Sequence, residues 1–204
     1  MLSGFVTFEG IDGSGKTTVS RSVADGLRSR GHAVFLTGEP TTSWLGEAVR
    51  HAYDDDVGPI AESFLFLADR AAHIAEIRIR LAKGELVLCD RYADSTYAYQ
   101  GARLEGIVPD PIAFLQRASD PWLLAPDLTI FLRIPTDLAA KRIAPRGNRI
   151  RLEDPVLLKK VAANYERLAS NPRFAPVDAT RATERVVSDS MELIETRLAP
   201  ARKR

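Results

Sequence analysis

Phe8 to Thr18 reads FEGIDGSGKTT, with three glycines, a lysine and two threonines directly behind an apolar run. Gly10, Ile11, Asp12, Gly13, Ser14, Gly15, Lys16 and Thr17 satisfy the spacing G-x-x-x-x-G-K-[ST]. Glycines let several backbone N–H groups turn toward a single anion. A helix expected to start near Lys16 adds the positive end of its dipole. Lys16 carries a full charge toward the β- and γ-phosphates, and Thr17 offers a hydroxyl to Mg²⁺, a hard ion that takes oxygen ligands. Thr18 belongs to the same nucleotide site. The chemistry is nucleotide phosphate binding, with Mg²⁺ as the expected metal. A glycine-rich turn that binds nothing is the bland alternative; it does not require the lysine, the threonine, the strand before or the helix after.

A second group lies further along. Asp90 ends the apolar run LVLCD and suits a water of the Mg²⁺ shell. Arg91 follows it, and a planar guanidinium fits bidentate contact with phosphate. Glu9, Glu39 and Asp90 each stand at the carboxyl end of an expected strand. A third group, Arg142, Arg146, Arg149 and Arg151, is broken by Pro145 and Gly147. So dense an arginine loop repels itself unless an anion joins it, which reads as a lid over about 142–154 that closes on phosphates.

These residues need elements to hold them. Strands are expected at 2–8, 32–37, 86–90, 127–134 and 173–178, the last weakened by Pro176. Helices are expected at 17–30, 59–81 and 156–169, with a last stripe formed by Val187, Met191, Ile194 and Leu198. In 59–81, Ile60, Phe64, Leu67, Ala71, Ile74, Ile77 and Leu81 recur every three or four residues as one apolar stripe. Alternating strands and helices imply an α/β fold, a five-stranded parallel sheet covered on both faces. Ligands of such sheets bind beyond the carboxyl ends of the strands, where the charged candidates cluster.

At 204 residues the chain suits one domain spanning 1–204. Lys plus Arg number 28 and Asp plus Glu 27, so nothing global suggests nucleic-acid or membrane partners. No apolar run approaches the roughly 20 residues a bilayer demands. The opening MLSGFVTFEG has no basic segment or cleavage site, and no signal peptide is expected. Cys89 is the one cysteine, which fits a reducing cytoplasm.

Other stretches narrow the chemistry. CDRYADSTYAYQGA (89–102), FLFLADRAAH (64–73), TGEPTTSWLGEAVR (37–50) and VDATRATERV (177–186) resemble, in order and spacing, segments of the thymidylate kinase family. FEGIDGSGKTT resembles that family's E-G-x-D-G-[SA]-G-K-T-T. The resemblance covers nearly the whole chain. It implies the three-layer P-loop kinase fold and phosphoryl transfer from MgATP to dTMP. It places Phe66 against thymine, Arg70 at the base carbonyl, Arg91 on the acceptor phosphate, Thr96 and Gln100 near the base and Tyr99 under the sugar. Ser95, Glu39 and Pro40 join that site, and Asp12 orients the sugar hydroxyl or a neighbouring arginine. The catalytic cations would be Lys16, Arg91 and the lid arginines Arg146, Arg149 and Arg151. A homodimer through the long helix is a further implication. The family's arginine before this glutamate is absent, with Gly38 in its place: either another cation substitutes, Arg50 being the local candidate, or acceptor-phosphate binding is weaker. A kinase for dUMP or dCMP, or a P-loop switch, would be the alternatives.

Overall fold

The computed structural model describes residues 1–143 and 154–199. Arg146, Arg149 and Arg151 lie outside the described residues. The strands are β1 (Gly4–Glu9), β2 (Val34–Gly38), β3 (Leu86–Asp90), β4 (Leu128–Arg133) and β5 (Phe174–Asp178). They form one parallel sheet in the order β2-β3-β1-β4-β5. The five expected strands are all present, each within two residues of its expected ends. Pro176 is tolerated because β5 is an edge strand, hydrogen-bonded to β4 alone.

The helices are α1 (Lys16–Ser29), α2 (Trp44–Asp55), α3 (Pro59–Ala82), α4 (Ala93–Arg103), α5 (Pro111–Ser119), α6 (Thr136–Ile143), α7 (Pro155–Leu168) and α8 (Thr183–Arg197). Strand alternation divides the core. Val6, Phe8, Leu86 and Leu88 join Val19, Val23 and Leu27 of α1 and Met191 and Ile194 of α8. Phe5, Val87 and Cys89 point the other way, onto Ile74 and Ile77 of α3, Tyr97 of α4 and Leu115 of α5. Both faces are therefore covered, as an all-parallel sheet requires.

The stripe expected along α3 is only half right. Leu67, Ile74 and Ile77 are buried, but Ile60 is 43% and Phe64 51% exposed, and Ala71 is exposed too. In its first half α3 instead turns Glu62, Ser63, Phe66, Asp69 and Arg70 inward. The physical reason is position. This half of α3 passes the carboxyl edge of the sheet, where the buried partners are polar side chains of the β2–α2 connection and α4.

Candidate active site

β1 ends at Glu9 and the chain turns at once. At Gly13 φ is 81°, and a Cβ there would sit 2.5 Å from the Ala139 carbonyl oxygen, so only glycine fits. Ser14 N–H donates to Ile11 O at 3.2 Å, and α1 starts at Lys16 behind Gly15. The motif is thus a turn feeding a helix N-terminus, as anion binding requires. Lys16 Nζ donates to Gly10 O and Ile11 O, each at 2.9 Å. Burial, and then the charge of Arg91, lowers this ammonium to about 8, against the pull of Asp12, Asp90 and Glu9. Ser14 Oγ is buried and unpartnered in this cradle.

Thr17 Oγ1 donates to Asp90 Oδ2 at 2.5 Å, and Asp90 Oδ1 is buried without a hydrogen-bond partner among the described residues. The two expected metal-site residues, 73 positions apart, are therefore side by side. Beyond the loop, Gly13, Ser14, Gly15 and Thr18 line a cavity of about 360 Å³. Arg142 and Arg181 also line it, and Arg142 Nη1 reaches Gly13 O at 3.4 Å.

A second cavity, of about 300 Å³, opens on the other side of Asp12. Asp12, Pro40, Phe66, Arg91, Ser95, Tyr99 and Gln100 all line it, together with Arg50 and Tyr53. Arg91 bonds Asp12 through Nη2 and Ser95 Oγ at 3.3 Å through Nη1. Burial opposes the charge on both partners, but their attraction wins, lowering the Asp12 carboxyl and raising Arg91 well above its usual range. Arg91 itself has φ 68°, in the left-handed region that non-glycine residues rarely adopt outside functional sites. Tyr99 Oη accepts from the Asp12 N–H at 2.9 Å, so the wall of this cavity is bonded to the phosphate loop.

Three expected residues stand just behind that wall. Arg70 is 1% exposed; it donates to Glu39 Oε2 through Nε (3.0 Å) and Nη2 (2.7 Å), and through Nη2 to Thr96 Oγ1 (2.7 Å). The ion partner of Arg70 is thus Glu39. Glu62 and Asp69 on its own helix are engaged elsewhere, by Gln100 and Arg103 and by Thr41. His73 Nδ1 meets the other oxygen of Glu39 at 2.9 Å, and its Nε2 meets Thr37 Oγ1 at 2.8 Å. Arg70 Nη1 is buried and has no hydrogen-bond partner among the described residues. The Glu39–Pro40 peptide is cis.

Through Asp12 the glycine-rich loop forms part of the wall of the second cavity. A family model described as thymidylate kinase matches residues 8–190. The chain belongs to the thymidylate kinase family. It is 41% identical over 198 residues to a "Probable thymidylate kinase" of Natronomonas pharaonis, covering 95% of this chain and 98% of the relative. Relatives with the same name from Methanospirillum hungatei (40% identical, 94% of both chains) and Methanoculleus marisnigri (42%, 89% of both) agree. Thymidylate kinases are phosphotransferases, and the P-loop α/β fold expected of one is the fold found.

Sequence reasoning missed several residues in or around these cavities. Tyr53, edge-on to Phe66 at 6.1 Å between ring centroids, carried no motif signal. His73 and Glu62 sit three residues beyond Arg70 and four before Phe66, a helical spacing that could have found them. Glu9 was noted only for its place at a strand end. It is 0% exposed and accepts from Tyr92 N–H (2.8 Å), Ser95 Oγ (2.6 Å) and Tyr165 Oη (2.9 Å). Burial first, and the neighbouring Asp94 second, raise its carboxyl to about 7, outweighing the bonds from Ser95 and Tyr165. Glu9 thereby ties β1 to α4 and to α7.

Proposed function

We propose that this chain moves the γ-phosphoryl group of ATP to dTMP, giving ADP and dTDP. The bond from the γ-phosphorus to the β–γ bridging oxygen breaks, and an oxygen of the dTMP phosphate takes its place. One observation carries this reading: Asp12 lies in the phosphate loop, pairs with Arg91 and lines the cavity that holds Phe66 and Gln100. Phe66 offers a flat face to a base, Arg91 a guanidinium to the acceptor phosphate, and Tyr99 a ring beneath the sugar. Arg50, held by Pro40 O (3.3 Å) and Thr41 O (2.8 Å), brings a second cation to this cavity. It supplies the charge that Gly38 lacks.

No general base is required. A phosphate monoester has a second pKa of about 6 and is already ionised at neutral pH. The protein's task is to position two anions and neutralise the charge between them, through Lys16, Arg91 and the lid arginines Arg146, Arg149 and Arg151. Mg²⁺ fits the residues present: the Thr17 hydroxyl and the Asp90 carboxylate, one oxygen of which is unpartnered, form an all-oxygen donor pair. Such an ion uses one or two carboxylates and shares the rest of its shell with phosphates and water. It would supply charge neutralisation at the phosphates.

The exposed face of α3 supports a homodimer. Ile60, Phe64, Ala71 and Ala75 are exposed with Ala68 half-buried between them, a stripe at spacings of three and four that a second copy would cover. Among the described residues no helix is long and apolar enough to cross a membrane. A cytoplasmic location fits the single buried Cys89.

The test is ADP release by the purified chain with MgATP and dTMP, dUMP or dCMP in turn. dTMP is the expected acceptor. Absence of dTMP-dependent ADP, or a preference for dCMP, would overturn the assignment.

A further inference from the structure

We propose that Glu62 is a specificity-positioning residue: it fixes which end of the Gln100 amide faces the acceptor cavity. The inference rests on the thymine reading above and adds to it. A glutamine amide has two donors at one end and an acceptor at the other, with nearly the same shape. Only its bonds decide which end points where. Here Gln100 Nε2 donates to Glu62 Oε1 at 3.1 Å, while Arg103 Nη1 donates to Glu62 Oε2.

Glu62 is 0% exposed, in the first turn of α3. A buried charge must be paired, and Arg103, three residues beyond Gln100 on α4, pairs with it. An ionised carboxylate only accepts. It can therefore hold the –NH₂ end of Gln100 and no other. Gln100 lines the cavity, and among the described residues nothing donates to its Oε1. The cavity is left with an acceptor at this point.

An acceptor selects a ring that carries N–H. Thymine has a hydrogen on N3; cytosine has a bare lone pair there. Two facing lone pairs leave a buried acceptor unmatched, a penalty worth about tenfold or more in affinity. Glu62 touches neither base nor phosphate. It acts through Gln100 and is not catalytic.

The test uses Glu62→Gln in the full chain. A glutamine at 62 can donate as well as accept, so Gln100 is free to turn its –NH₂ toward the cavity. The dTMP to dCMP ratio of kcat/KM should narrow by about tenfold or more, through opposite changes in the two KM values and with kcat for dTMP retained. Calorimetric binding of the two monophosphates without ATP should narrow in parallel. Arg103→Lys disturbs the same cluster but keeps a cation beside the Glu62 carboxylate; it should cost stability and keep the wild-type ratio. If Glu62→Gln does not fold because Arg103 loses its partner, the double variant Glu62→Gln with Arg103→Gln removes both charges and must still narrow the ratio. An unchanged ratio in the variants carrying Glu62→Gln, or equal narrowing in Arg103→Lys, overturns the proposal while a dTMP-selective wild type keeps the reading beneath it. A wild type that neither binds nor phosphorylates dTMP overturns both.

Discussion

Glu39 grips Arg70 with two hydrogen bonds to one oxygen, and both side chains are out of solvent. Burial disfavours the guanidinium charge, yet the Glu39 carboxylate more than compensates and raises Arg70 above its usual range. A pair of this kind is costly to break from one side, because the surviving charge stays buried. Glu39→Ala should therefore lower stability by about 3–5 kcal/mol. Adding Arg70→Met should restore part of that loss. Chemical denaturation of the three proteins measures both. A cost for Glu39→Ala within about 1 kcal/mol of zero would mean that the pair does not hold this wall.

Lys16 and Arg91 carry the charge between the two cavities. Lys16→Ala and Arg91→Ala should each reduce kcat/KM by at least about a thousandfold, with far-UV circular dichroism unchanged. Lys16 also gives a proton signature. Its pKa in the fold is about 8 against 10.5 for a free lysine, so between these values the unfolded chain holds the extra proton and stability rises with pH. A bound triphosphate restores the charge. ATP-analogue binding at a pH of about 8.5 should thus take up protons, seen as a calorimetric heat that varies with the buffer's ionisation enthalpy. Lys16→Met should abolish that dependence. A heat independent of buffer in the wild type would refute it.

Glu9 runs the opposite way. Its carboxyl is raised from 4.5 to about 7, so the folded state holds the proton more tightly. The stability it contributes is complete below 4.5 and is lost as pH climbs through about 7. The difference amounts to about 3 kcal/mol. Glu9→Gln keeps the shape and a hydrogen-bonding oxygen but cannot titrate. Denaturant midpoints between acid and neutral pH should therefore fall in the wild type relative to the variant. Parallel curves for the two proteins would show that Glu9 does not titrate in this window.

Much of this site was legible because its chemistry is local. The turn from Gly10 to Thr17 and the Asp90–Arg91 pair each sit within a few residues of a strand end, where the α/β fold gathers ligand-binding groups. Phe66 was also readable, because it falls off the apolar stripe of α3 and lines the cavity. The stripe itself misled at Ile60 and Phe64. Amphipathic patterning assumes that the buried face is apolar, and α3 buries Glu62, Asp69 and Arg70 against polar partners from elsewhere in the chain. Those partners are 26 to 41 residues distant, beyond the reach of any periodicity. α2, α5 and α6 passed unread for a simpler reason: at 12, 9 and 8 residues they are short against the window of about 11–18 residues over which a helical period is read.

The resemblance drawn from the sequence leads to the expectation of an arginine at position 38, where this chain has Gly38, and the sheet explains what a side chain would meet there. Gly38 is in register with Asp90, and Glu39 N–H donates to Asp90 O at 3.0 Å. A Cβ at 38 would lie 2.9 Å from that same carbonyl oxygen and 3.3 Å from Asp90 Cβ. Backbone must yield, and the residue that moves is the one whose carboxylate meets Thr17. Gly38→Ala should therefore cost about 1–3 kcal/mol in overpacking. It should also raise the Mg²⁺ concentration needed for half-maximal turnover, with the KM for dTMP much less affected, because the displacement reaches Asp90 before the base pocket. Arg50→Met should do the reverse, raising the KM for dTMP and sparing the metal dependence. If Gly38→Ala left both stability and metal requirement unaltered, the contact with Asp90 would not be what keeps this position bare.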